Sequence, residues 1–286
     1  TAANSIALAT LTQPWETVFC TKPSHINEDE CNAPEFYSGA KLTLVADENA
    51  KMTPDGLRAA LEAEETRGVH GPQRGPVSIT QVTEKGTVYT LAELKALTGI
   101  AKEYGVATHL DGARFSNAVV TLGCSPADMS WKAGFDCVCF GGTKNGLMGV
   151  EAVIFFDPEH AWEFELRRKR GAHLSSKHRY LSAQMEAYLT DDLWLDLATK
   201  ANAAGQRLAD GLRATNQVTF PNEPDANLMF FDAPRGLHQK VQAAGAQYYL
   251  SGALEGDADE IVQGRLVCDW SVGFEGVDAF LNALKA

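Results

Sequence analysis

Thr108-His109-Leu110-Asp111-Gly112-Ala113-Arg114 is an apolar run that delivers an acid and then turns, through two small residues, into a helical pattern. Phe140-Gly141-Gly142-Thr143-Lys144-Asn145-Gly146 follows the same plan 33 residues on (144 − 111 = 33), with a lysine in a glycine-lined loop. Both stretches read as strand ends, and in open α/β sheets such ends line the ligand crevice. His109 and Asp111, two apart, share one face of their strand, and Arg114 falls in the first turn of the next helix. Taken alone, the first stretch also reads as an aspartate N-cap with a surface arginine. The second is not a Walker A loop, because Thr143 precedes the lysine and Asn145 follows it; nor does a G-x-G-x-x-G follow a predicted strand. Two readings of Lys144 remain: an amine poised to form a Schiff base, or an exposed lysine on a structural loop.

Outward from these stretches, residues 14–156 alternate short β-branched runs with helical patterns, the signature of a parallel sheet with crossover helices. Strands are predicted at 77–83, 106–111, 136–140 and 152–156. Helices are predicted from Thr53-Pro54, where Leu57 and Leu61 give one apolar stripe, along Leu91, Leu94, Leu97 and Ala101, and at 113–122. After Asp157 the pattern changes to long helices at 159–170, 174–189 and 192–214. Strands at 227–231 and 265–271 and helices at 237–244 and 277–284 complete the chain. The expectation is a large α/β domain over 1–215 and a small α+β domain over 216–286.

The chain has 286 residues, 45% hydrophobic and 22% charged, in the ordinary range for a folded globular protein. Its net charge of −12 opposes binding to nucleic acid or to anionic lipid, and no apolar run is long enough to span a bilayer. The first twenty residues lack the order of a signal peptide, so the expected location is cytoplasmic. Cys20, Cys31, Cys124, Cys137, Cys139 and Cys268 are irregularly spaced and read as thiols of a reducing compartment. Cys137 and Cys139 face the same way on a strand and read as core, and no metal site is expected. Arg167-Arg168-Lys169-Arg170, continued by His173, Lys177, His178 and Arg179, reads as a solvated helix face.

An aspartate and a later lysine, each ending a parallel strand, form the arrangement that a pyridoxal phosphate site uses. The lysine carries the aldehyde as an imine, and the carboxylate keeps the pyridine nitrogen protonated so that the ring accepts electrons. Here the chain resembles the fold type I pyridoxal phosphate enzymes of the threonine aldolase, or β-eliminating lyase, family. Besides the two stretches above, the resemblance rests on Thr1-Ala2-Ala3-Asn4, Ser24-His25-Ile26, Ala33-Pro34-Glu35-Phe36, Gly86-Thr87-Val88-Tyr89 and Arg265-Leu266-Val267. The Asp-Gly-Ala-Arg and Gly-Gly-Thr-Lys pair at this spacing is its specific part.

The resemblance implies that Lys144, His25 and Asp111 are the catalytic residues: Lys144 as the Schiff-base lysine, Asp111 on the pyridine nitrogen and His25 stacked on the ring. Thr1 and Ala2 would take the phosphate at a helix N-terminus, where open amides and the helix dipole favour an anion. Arg114, which would also touch the cofactor, and Arg265 would grip the substrate carboxylate in a planar fork. The implied partners are an amino acid substrate and further copies of the chain, as a dimer or tetramer with shared active sites. The basic segment after the lysine would lie near that subunit interface.

The chain departs from the pattern in two places. It begins at Thr1, inside the family's Gly-Thr phosphate loop, so the loop glycine and the arm before it are expected to be absent. Where low-specificity threonine aldolases have Asn-Thr-His, this sequence has Gln81-Val82-Thr83-Glu84, leaving the base for the substrate hydroxyl unassigned. The implied reaction is cleavage of a β-hydroxy-α-amino acid, such as L-threonine, L-allo-threonine or a 3-phenylserine, to glycine and an aldehyde. The alternatives are a β-elimination on the same scaffold and a catalytically silent protein that keeps the fold.

Overall fold

The computed structural model describes residues 1–285. The chain opens with α1 (Ala2–Leu11), β1 (Glu16–Thr21), the short α2 (His25–Glu28), α3 (Ala33–Ser38) and β2 (Lys41–Val45). A small hairpin of β3 (Asp47–Glu48) and β4 (Lys51–Met52) leads to α4 (Pro54–Ala63). Then come β5 (Gln73–Thr80), α5 (Leu91–Glu103), β6 (Thr108–Gly112), α6 (Phe115–Leu122), β7 (Cys137–Gly141) and β8 (Glu151–Phe155). Three helices follow, α7 (His160–Arg170), α8 (Arg179–Leu189) and α9 (Leu193–Arg213). The last part is β9 (Leu228–Pro234), α10 (Arg235–Ala243), β10 (Tyr249–Leu250), β11 (Ile261–Val267) and α11 (Gly273–Lys285). No helix among the described residues is long and apolar enough to cross a membrane.

The main sheet has the order β2-β1-β5-β6-β7-β8 and is parallel throughout except for β8, which runs against β7. Only residues 142–150 join β7 to β8, too few for the crossover of a dozen or more residues that a parallel neighbour needs. The helices start where local chemistry starts them. Thr53 accepts the Gly56 N–H at 3.1 Å ahead of Pro54, and Thr90 with Glu93 forms a capping box. The buried Leu57 and Leu61 of α4 and Leu94 and Leu97 of α5 form one core with Val77, Ile79, Leu110 and Val138 of the sheet.

Alternation along β6 and β7 then decides what faces the other side. Leu110 and Val138 enter that core, whereas His109, Asp111, Cys137 and Cys139 point to the opposite face. There α1 covers them: Ala7 packs on Cys137 and Cys139, and Leu8 on Val18, Cys20 and Ile26. Residues Asn4 to Thr10 of α1 are all buried, so the body of the helix is pressed against the sheet while its first residues stay open.

A second core belongs to the three-stranded antiparallel sheet β10-β11-β9, with α10, α11 and the later half of α9. Ala204, Leu208 and Leu212 of α9 enter it, while Trp194 near the start of the same helix lies in the first core. α9 is thus the spine shared by both. The strand expected at 265–271 lies at Ile261–Val267 instead. Asp269 is the reason: its carboxylate accepts the N–H groups of Ser271 and Val272, at 2.8 and 2.9 Å, and folds that stretch into a turn. β5 likewise begins earlier than the expected 77, its pairing with β1 crossing a register shift between Thr17 and Phe19 that accommodates Gly75 and Pro76.

The loop after β5 ties the two units together. Val88 N donates to Asp225 Oδ2 at 2.9 Å, Asp225 N returns a bond to the Gly86 carbonyl at 3.1 Å, and Thr121 Oγ1 holds the Asp225 carbonyl at 2.8 Å. Gly86, at φ +85°, is required here, because a Cβ would run into the Leu228 carbonyl oxygen.

Candidate active site

The parallel strands bring four connections to one edge of the main sheet. His25 follows β1, Glu84 follows β5, Asp111 lies at the end of β6, and Lys144 follows β7. The strand order reverses between β1 and β5, the switch point at which open α/β sheets bind ligands. A cavity of about 1390 Å³ opens there, and Thr1, Ala2, His25, Asp111, Arg114, Lys144 and Arg265 all line it.

Asp111 is buried and held from two sides: Asn4 Nδ2 donates to its Oδ2 at 2.8 Å, and Ala113 N to its Oδ1 at 3.0 Å. Asn4 Nδ2 also reaches Glu30 Oε1 at 3.0 Å, and the same oxygen meets His25 Nδ1 at 2.9 Å. A hydrogen-bonded row therefore runs from Asp111 through Asn4 and Glu30 to the imidazole. The Glu30 bond raises the His25 pKa against the opposing effect of burial. Behind Asp111, His109 lies between Ser78 Oγ at 2.9 Å and Cys139 Sγ at 3.2 Å, and burial pushes its pKa down to about 4.

Lys144 sits in a short 3₁₀ turn, Thr143–Asn145. Gly141 lets that turn approach the β6 loop, since a Cβ at 141 would lie 2.5 Å from the Ala113 carbonyl oxygen. The next residue anchors it: Asn145 Nδ2 donates to Tyr188 Oη at 2.6 Å and to the Trp194 carbonyl at 2.9 Å. Burial, and then the charge of Arg114, hold the lysine below the ordinary ammonium range. A lysine so placed keeps a larger share of neutral, nucleophilic amine at neutral pH.

Arg114 is the N-cap residue of α6, and its Nε is buried without a hydrogen-bond partner among the described residues. Burial, and next the charge of Arg265, push its pKa down to about 10. Arg265 comes from the middle of β11 in the second unit. Two guanidinium groups that repel each other across a cavity, one with an unused donor, form a site for an anion. At the opposite end the first turn of α1 opens to the cavity. Thr1 caps it without a side-chain bond, and the first helical bond, Ser5 N to the Thr1 carbonyl at 2.9 Å, leaves the preceding amides without helical acceptors.

The Beta-eliminating lyase family model matches residues 1–234, which span all of these residues except Arg265. The chain belongs to that family. A Pseudomonas aeruginosa protein named low specificity L-threonine aldolase is 42% identical to this lyase-family chain over 279 residues, covering 97% of this chain and 78% of that protein. A second Pseudomonas protein of the same name is 40% identical over 271 residues, 94% of this chain and 76% of that protein. The solved structure of Leishmania major threonine aldolase superposes with a TM-score of 0.91 at 26% identity, over 99% of this chain and 81% of that one. The fold is that of the fold type I pyridoxal phosphate enzymes.

The residues of this family member fit that cofactor. A buried carboxylate already oriented by two donors suits a protonated ring nitrogen, and an amine that opens to the cavity with its pKa lowered suits an aldehyde. Helix α1, with its open first-turn amides, suits a phosphate.

Three side chains of the site were not picked out as site residues from the sequence. Glu30 stands in the polar run Asn27 to Asn32 and reads as solvated; only the helix laid over it makes it buried. Asn4 carries a weak signal, an amide in the first turn of a helix made mostly of small and apolar residues. Glu84 figured only as part of a segment lacking a histidine, yet it projects into the cavity. The basic cluster on α7 is partly neutralised: Arg167 pairs with Glu163 at 2.7 Å and Arg168 with Glu165 at 3.0 Å. Arg168, His173 and His178 belong to the wall of the same cavity.

Proposed function

We propose that this chain is a pyridoxal phosphate-dependent carbon–carbon lyase that cleaves β-hydroxy-α-amino acids of the threonine type to glycine and an aldehyde. The observation that carries the reading is the convergence, on one cavity at the switch point, of a lysine that opens to the cavity with its ammonium pKa lowered, a buried oriented carboxylate and two guanidinium groups free to hold an anion. The names of the 40–42% identical relatives agree with it.

Pyridoxal phosphate, when bound, supplies a protonated pyridine ring that accepts the electron pair of a broken Cα bond. In our reading Lys144 would hold the aldehyde carbon, Asp111 the ring nitrogen and His25 the ring face, with Thr1, Ala2 and the α1 amides on the phosphate. Arg114, beside the cofactor, and Arg265 would clamp the substrate carboxylate. Fixing that group sets the rotation about the substrate N–Cα bond, and this rotation decides which Cα bond breaks. Glu30 and Asn4 keep His25 and Asp111 in register, so these two do not drift between turnovers.

The test is an absorbance spectrum of protein loaded with pyridoxal phosphate, before and after L-threonine or a 3-phenylserine is added, with products assayed alongside. A cofactor band that shifts as glycine and aldehyde appear supports the aldolase; pyruvate and ammonia in their place would replace it with β-elimination. Arg265→Ala is expected to raise the KM for threonine about 10- to 100-fold, the loss of one charge-assisted hydrogen-bonded contact. An unchanged KM removes Arg265 from the carboxylate site.

We take 1–215 as the cofactor-binding unit and 216–286 as the small one, with α9 as their common spine. We also read the protein as a cytoplasmic homo-oligomer, dimer or tetramer. The six free cysteines agree with that compartment, and the exposed Phe36, Trp162, Leu166 and Tyr180 are apolar side chains that a second copy can cover.

A further inference from the structure

Glu84 is one of the carboxylates of the cavity that the scheme above leaves idle. Its Oε1 accepts the backbone N–H of His25 at 2.8 Å. Its Oε2 is closed off from solvent and forms no well-aligned hydrogen bond among the described residues, although the Thr80 side chain is near enough to donate to the carboxyl. Of the carboxylates lining the cavity, it alone among the described residues keeps an oxygen both buried and unpartnered. Asp111 is occupied by Asn4 and Ala113, Glu30 Oε1 by His25 and Asn4, and Glu151 Oε1 accepts the Thr143 N–H. A buried carboxylate oxygen without a partner is costly unless something uses it.

Its support is rigid. The loop that carries it is fixed to the second unit by the Asp225 bonds on either side of Thr87, and the neighbouring Lys85 Nζ lies 4.8 Å from the centre of the Phe230 ring. The groups facing the carboxyl are the Thr80 hydroxyl at the end of β5, which donates toward it, Asp111 from β6, which repels it, Arg114 at the start of α6, which attracts it, and then the thiol of Cys20 and phenol of Tyr89. Burial holds both of the last two above their ordinary values, so they stay neutral beside it.

We propose that Glu84 takes the proton of the substrate β-hydroxyl. This assignment rests on the aldolase reading and names the base that reading lacked. As the O–H bond breaks, its electron pair becomes the second C–O bond of the departing aldehyde. The electron pair of the Cα–Cβ bond remains with the glycine carbon, and the return of one proton to Cα completes glycine and leaves the carboxylate ionised for the next cycle. Burial, with a lesser contribution from the Asp111 charge, pushes the Glu84 carboxyl up to about 7. A base poised near working pH moves a proton most effectively.

The experiment compares Glu84→Gln, Glu84→Asp and wild-type holoenzyme in two reactions: cleavage of L-threonine, and exchange of a glycine α-proton in D₂O, which involves no hydroxyl. In Glu84→Gln, kcat for cleavage is expected to fall about 10²-fold or more, while exchange stays within about threefold; Glu84→Asp should recover part of the loss. Because the base must be ionised, wild-type kcat/KM should rise with pH through about 7, and that limb should vanish from the residual activity of the glutamine variant. Infrared titration of the protein without cofactor should show a protonated carboxyl band in wild type that Glu84→Gln lacks. Cleavage by Glu84→Gln at the wild-type rate overturns the assignment, as does a parallel loss of cleavage and exchange, which marks a merely structural role. A wild-type enzyme that exchanges the glycine proton yet leaves threonine whole overturns the aldolase reading itself, and the assignment falls with it.

Discussion

Lys144→Ala lowers threonine cleavage about 10⁴-fold or more while the fold survives, the scale on which removing a covalent catalytic group acts. The side chain sits in a turn held by Asn145 and Gly141, not by contacts of its own, so truncation leaves its surroundings in place. Lys85 also lines the cavity, but its ammonium is engaged over Phe230 and does not substitute. Borohydride reduction of the loaded wild type, followed by peptide mass analysis, should find pyridoxal phosphate fixed on Lys144 and nothing fixed in the variant. Label on Lys85, or turnover within tenfold of wild type, would overturn the role of Lys144. Stability should move the other way. The lysine pKa is lowered in the fold, so the charged form opposes folding fully at pH below the folded value, and that penalty disappears above the unfolded value near 10.5. At neutral pH the cofactor-free variant should therefore melt no lower than wild type.

Asp111→Asn should lower cleavage by about 10³-fold, the scale of removing one pre-oriented electrostatic partner. Asp111 accepts from both Asn4 and Ala113, and an amide has one oxygen to offer them. The substitution turns an N–H₂ toward one of those donors, and a loss of about 1–2 kcal/mol in thermal or urea unfolding is expected as well. The two effects separate in the measurement: kcat falls by far more than the unfolding midpoint could explain, and the affinity for pyridoxal phosphate weakens. Activity within threefold of wild type would detach Asp111 from the ring nitrogen.

Most of what the site needs is readable in the linear chain, because strand ends and glycine-lined loops are local features. Period-2 alternation places His109 with Asp111 on one face of their strand and Cys137 with Cys139 on one face of theirs, and the strand register brings both pairs together under α1. What the sequence does not convey is long-range. Whether β8 runs with or against β7 depends on the length of a connection that reads as an ordinary loop. Glu30 and Glu84 look like any surface acid until α1 buries one and the Gly86–Asp225 contact fixes the loop of the other. The strand lies at 261–267 and not at 265–271 because Asp269 folds the residues after it into a turn, a side-chain effect that hydrophobic pattern does not carry.

The row from Asp111 through Asn4 and Glu30 to His25 has a consequence for how such a protein can drift over generations. Its members come from a strand end, a helix and the segment after β1, and each fills a need of the next, so changing one strands a buried polar atom in its neighbour. Single replacements there should be purged and compensated pairs kept, so descendants of this chain should either hold all four together or have let go of all four. A lineage that has abandoned the chemistry would then show it at Asn4 and Glu30 as well, positions with no chemical step of their own, once selection on His25 and Asp111 is relaxed.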